Sequence, residues 1–76
     1  MSHLAPIHWR ELERFVVHVG CTLKRQTASH RVYWRADQVR PIIIPQYKEV
    51  PVFVIKNILR QLGIPVGEFQ RILKEM

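Results

Sequence analysis

His30 lies in the most basic part of a 76-residue chain, with Lys24, Arg25 and Arg31 close by in sequence. That company suits phosphate chemistry. An RNA strand carries its own nucleophile, the 2′-hydroxyl. Cleaving it needs a base for that proton, an acid for the leaving 5′-oxygen, and cations for the charge that builds on the phosphoryl oxygens. Histidine fits either proton role, because its ordinary pKa of ~6.5 keeps both forms populated near neutrality. A lone strand histidine can equally be an exposed residue with no chemical role, and residue type alone leaves both readings open.

Other arrangements offer less. Ser29 and His30 are adjacent on what reads as extended chain, so their side chains are expected on opposite faces and not as a Ser–His pair. His18 and Cys21 have ligand-like spacing, but no second pair completes four ligands. Cys21 is the single cysteine, which excludes an internal disulfide and points to packing as a small apolar group. No Asp or Glu pair falls within the basic region, so two-metal nuclease chemistry is not expected. Neither a metal nor a cofactor is called for.

The charge is unevenly spread. Lys24 to Lys48 holds six basic residues and one acid, Asp37, for +5; the rest holds six basic and five acidic, for +1. Such a patch attracts a polyanion, nucleic acid being the commonest, although a solvated face with no partner carries charge in the same way. Tyr33 and Trp34 lie inside it and could stack on bases. As neighbours they alternate, so one faces out. Tyr33, between Arg31 and Arg35, is expected outward, and Trp34 in the core.

These residues need a frame. Leu12, Phe15, Val16 and Val19 recur at helical spacing, giving a helix over about 8–19 that Gly20 ends. Thr22 to Gln26, His30 to Arg35 and Ile42 to Ile44 read as three short strands, joined by turns at 27–29 and 36–38. Ile55, Ile58, Leu59 and Leu62 mark a second helix from about Val54 to Leu62, closed by Gly63. Pro65 opens a short last helix with Phe69, Ile72 and Leu73. The order predicts an α+β sandwich, with helices on one face of an antiparallel meander and the other face in water. At 76 residues the chain is expected to be one domain, 1–76, too small for a deep cofactor pocket. Met1 to Pro6 has neither the basic nor the apolar part of a targeting signal, and no apolar run nears the ~20 residues of a membrane span. A cytoplasmic protein with no membrane partner is expected.

Several motifs together resemble one family. Arg25-Gln26-Thr27-Ala28-Ser29-His30-Arg31-Val32-Tyr33 resembles the R-Q-x-G-S-H-x-x-Y element of HicA-type toxins. Ile42 to Lys48, ending Pro45-Gln46-Tyr47-Lys48, is similar to that family's apolar strand followed by P-x-H-K. Ile58 to Ile64 resembles its I-L-x-Q-x-G helix end, and Glu68-Phe69 its terminal E-F. Three positions depart from the pattern: Ala28 stands for the glycine, Tyr47 for the second histidine, and Val54 where relatives often carry a Thr N-cap.

The resemblance implies a double-stranded-RNA-binding-like fold: a helix, a three-stranded antiparallel sheet and a helix, then a short C-terminal helix. It implies an endoribonuclease that cleaves mRNA, the toxin of a type II pair held in check by a HicB-like antitoxin; the lack of clustered carboxylates, with His30 among cations, makes metal-independent cleavage the expectation. His30 is then the catalytic residue. Lys24, Arg25, Ser29, Arg31, Tyr33, Arg35 and Lys48 are the expected RNA contacts. The alternatives are a non-catalytic RNA-binding module on the same fold, and a protein-interaction domain whose basic face docks an acidic partner.

Overall fold

Apolar residues recurring every three to four positions at both ends of the chain, and β-branched residues in its middle, separate helices from strands. The computed structural model describes residues 4–76. It runs α1 (Trp9–His18), β1 (Thr22–Gln26), β2 (His30–Trp34), β3 (Ile42–Pro45), α2 (Val52–Leu62) and α3 (Val66–Glu75). The strands form an antiparallel meander in the order β1-β2-β3. The expected α+β class and helix–sheet–helix order hold. The last helix is not short: α3 has 10 residues, as many as α1.

Local chemistry sets the helix ends. His8 is the N-cap of α1, its ring Nδ1 accepting from the Arg10 backbone N–H at 3.1 Å, a task more often given to Ser or Asp. The segment before α1 is tied to the loop after β3, where Val50 N donates to Ile7 O at 2.7 Å and Trp9 N to Tyr47 O at 3.1 Å. α1 and α2 close alike. Gly20 (φ +102) and Gly63 (φ +73) take the left-handed backbone that glycine permits. Cys21 N then bonds Val16 O and Gly20 N bonds Val17 O; Ile64 N and Gly63 N bond Leu59 O and Arg60 O in the same way. These are the paired bonds of the Schellman motif. α2 starts at Val52, two residues earlier than the sequence suggested. Pro51 (φ −63) presets the backbone, and its carbonyl accepts from Val54 N and Ile55 N. Val54 is therefore inside the first turn and not at an N-cap.

All three helices contribute to one cluster on one side of the sheet. Leu12, Phe15 and Val16 of α1 and Ile55, Ile58, Leu59 and Leu62 of α2 are buried there with Tyr33, Ile42 and Ile44 of the sheet. Phe15 meets Phe69 of α3 edge to face, centroids 4.7 Å apart at 90°. Cys21 is buried at the sheet's edge as a small apolar residue, and that burial pushes its thiol pKa up. Among the described residues no helix is long and apolar enough to cross a membrane.

Register assigns the two faces. Tyr33 pairs with Ile42 and Arg31 with Ile44, and both isoleucines are fully buried, so this side meets the helices. Val32 pairs with Ile43, which is 48% exposed, and His30 with Pro45, so His30, Val32 and Trp34 share the open side.

Candidate active site

His30 is the first residue of β2, exposed, and its backbone is held on both sides by one residue. Its N–H donates to Thr27 Oγ1 at 3.1 Å; its carbonyl accepts from Thr27 N at 2.8 Å and from Thr27 Oγ1 at 3.2 Å. A two-residue hairpin turn ordinarily draws on left-handed backbone and glycine. Here Ala28 and Ser29 have negative φ, since no residue other than glycine has a positive one among the described residues. The Thr27 hydroxyl takes up the His30 N–H instead. Ala28 in place of glycine is thus accommodated. Ser29 O accepts from Gln46 N at 2.9 Å, pinning the turn to the end of β3.

The expectation that Ser29 and His30 point apart does not hold. Ser29 Oγ lies 3.4 Å from His30 Nδ1, because Ser29 belongs to the turn and not to the extended strand. The contact is long for a hydrogen bond, and no carboxylate extends it to a relay. It can orient the ring of this exposed residue. Val32 is buried, yet it lies outside the helix-side core, so sharing its face does not bury His30.

The cations divide between faces. β1 carries a bulge between Leu23 and Arg25: Leu23 pairs with Tyr33 and Arg25 with Val32, leaving Lys24 as the extra residue. Simple alternation would send Lys24 and Arg25 to opposite faces. With the bulge both line one depression with Val32 and Trp34 on the open side. Neither makes an ion pair among the described residues. Lys48 is exposed, three residues beyond Pro45, the partner of His30. Tyr47, where relatives carry histidine, is 50% exposed.

Arg31 and Tyr33 are on the other face, which takes them from the side expected to meet RNA, while Arg35, just past β2, lines a depression with Lys24 and Trp34. Tyr33 is fully buried and Trp34 is 37% exposed, the reverse of the expected orientation. The Tyr33 hydroxyl donates to Glu13 Oε2 on α1 and accepts from Arg31 Nε at 3.2 Å. Arg31 Nε also pairs with Glu13 Oε2 at 2.8 Å, and its guanidinium lies 5.1 Å from the Trp9 ring centroid. Burial, then the Glu13 bond, push the Tyr33 pKa up to about 12, while the Tyr33 bond raises that of Arg31. Arg35 is gripped by Asp37 through two bonds, of 2.6 and 2.9 Å. It donates in turn to Val19 O at the end of α1 and to Leu62 O at the end of α2. The Asp37 bond raises the Arg35 pKa, and the Arg35 bond lowers that of Asp37.

Sequence reading missed Glu13 and Gln61. Gln61 Nε2 donates to Arg40 O and Pro41 O, each at 3.0 Å, docking α2 on the loop before β3. Alternation places Arg31 and Tyr33 together but does not say on which side, because Ile42, Ile43 and Ile44 give both faces of β3 the same residue type. Among the described residues, no three His, Cys, Asp or Glu side chains gather to hold a metal ion.

Comparison with known proteins gives one match. The family model for the HicA toxin of bacterial toxin–antitoxin matches residues 9–64, from α1 through the close of α2. Glu68-Phe69 falls outside that span. No curated protein and no solved structure matches the chain.

Proposed function

Because the chain belongs to the HicA toxin family, a family whose toxins imply an antitoxin partner, we propose that it is an endoribonuclease that cleaves mRNA at His30. The observation that carries the reading is His30 itself, exposed at the start of β2 with its backbone bonded on both sides to Thr27 and its ring beside Ser29. Lys24 and Arg25, in no ion pair among the described residues, supply positive charge on the same face.

The chemistry uses the substrate's own 2′-hydroxyl. His30 takes its proton as the O2′–P bond forms, and the P–O5′ bond breaks. The imidazolium then returns a proton to the leaving 5′-oxygen, giving a 2′,3′-cyclic phosphate and a free 5′-hydroxyl. Lys24, Arg25 and Lys48 hold the backbone and offset charge on the phosphoryl oxygens. Ser29 orients the ring. Arg31, Tyr33 and Arg35 act from below, fixing β2 to the helices. A HicB-like antitoxin is the partner, and the basic open face around His30 is where it binds.

His30→Ala tests the assignment. Removal of a positioned general acid or base costs about 10²–10⁴-fold in rate. RNA affinity and the thermal midpoint are expected to stay at wild-type values, since the side chain is exposed. Full cleavage and growth arrest by His30→Ala would refute the catalytic role. Wild-type protein that binds RNA tightly and never cuts it would make the chain a binding module on the same fold.

A further inference from the structure

The open face holds an aromatic that the proposed chemistry does not use. Trp34 is 37% exposed and shares the side of β2 with His30 and Val32. It lines two adjoining depressions, the larger of about 830 Å³; Lys24 lines both with it, and Arg35 lines the larger. Arg25 and Val32 line the second. No acidic side chain lines either. Val32 is already covered, at 7% exposure, so the face offers Trp34 and Ile43 beside Lys24 and Arg25, neither of which is in an ion pair among the described residues. That is little apolar area for a protein partner. It fits a polyanion that brings flat π surfaces of its own.

The spacing fits as well. Trp34 is four positions after His30, about 13 Å along a strand. An RNA strand stacked at ~3.4 Å per residue covers that span in about four nucleotides, and in fewer when extended.

We propose that the open face is a stacking platform for unpaired RNA. Trp34 takes a base within about four nucleotides of the phosphate at His30, and Lys24 and Arg25 hold the backbone between. This rests on the RNA-cleaving reading above and names its substrate class. Bases inside a duplex are stacked on each other and offer Trp34 no free face, so the platform selects single-stranded or looped RNA.

The test uses protein carrying His30→Ala, so that RNA stays intact, and one labelled oligonucleotide offered single-stranded or in a duplex. Adding Trp34→Ala is expected to weaken single-strand binding about 5- to 150-fold, the range for one base stacked on an aromatic side chain. Duplex binding is expected to stay unchanged, and Trp34→Phe to recover most of the loss. Removing one base from the oligonucleotide within four nucleotides of the cut gives the same loss with Trp34 present and none with Trp34→Ala. The first half of this arm is read on protein that keeps Trp34.

Equal binding of single strand by Trp34 and Trp34→Ala proteins overturns the proposal, as does an equal loss for the duplex. So does a Trp34→Ala variant that loses only its affinity for the antitoxin, which would give the face to that partner. Cutting of the same oligonucleotide by protein with His30 is scored separately. A chain that cuts RNA without using Trp34 overturns this inference alone. One that stacks a base at Trp34 and cuts nothing overturns the nuclease reading alone.

Discussion

β2 has two sides, and they treat similar residues in opposite ways. On the helix side, Arg31 and Tyr33 converge on one Glu13 carboxylate, over an apolar floor of Ile42 and Ile44. On the open side, His30 and Trp34 are exposed, and Lys24 and Arg25 lie beside Trp34 in no ion pair among the described residues. Each side has an aromatic residue and positive charge. What differs is whether a carboxylate from another element reaches them. Where one does, the cation joins helix to sheet. Where none does, its charge remains for a ligand.

Tyr33→Ala is the strongest way to test this contrast. Removing a fully buried aromatic costs about 3–5 kcal/mol. A chain of this size has only about 4–11 kcal/mol in total, at 0.05–0.15 kcal/mol per residue. Chemical denaturation is expected to show a large loss. A stability change within about 0.5 kcal/mol, typical of exposed positions, would erase the distinction between the faces.

Glu13→Ala comes next. It removes the acceptor of the Tyr33 hydroxyl and the carboxylate partner of the half-buried Arg31 guanidinium, at roughly 1–3 kcal/mol. The denaturation midpoint is expected to fall while RNA affinity at matched folded concentration stays unchanged. A gain in RNA affinity would mean that Arg31, once released, can reach RNA, and would make the two sides less separate than drawn here.

Arg25→Ala has the smallest effect on stability, within about 0.5 kcal/mol. Its signature is electrostatic. Losing one phosphate contact lowers the slope of log affinity against log salt by about 0.7 for single strands. An unchanged slope would remove Arg25 from the interface.

The elements were largely legible in the sequence, because Leu12, Phe15 and Val16, and Ile55, Ile58, Leu59 and Leu62, repeat at the period of a helix and are buried. His30 stood out as a candidate by its motif, and the structure places it exposed at the start of β2. The orientation of Tyr33 and Trp34 was not legible. An aromatic between two arginines reads as surface until Glu13, 20 residues away, is brought to it. Nor was the face of Arg25, which depends on a bulge that exists only once β1 has paired with β2. Ser29 was misjudged for a similar reason: an alternation rule was carried into a turn, where it does not apply.

Arg35 carries a consequence for motion. It donates to Val19 O and Leu62 O, at the ends of two helices 43 positions apart in the chain. Helix termini ordinarily fray one by one, each at little cost. With one guanidinium bonded to both, the last turns of α1 and α2 open together, so their amides are expected to exchange with solvent deuterium at matched rates. Breaking the Asp37 grip would let each end exchange on its own timescale.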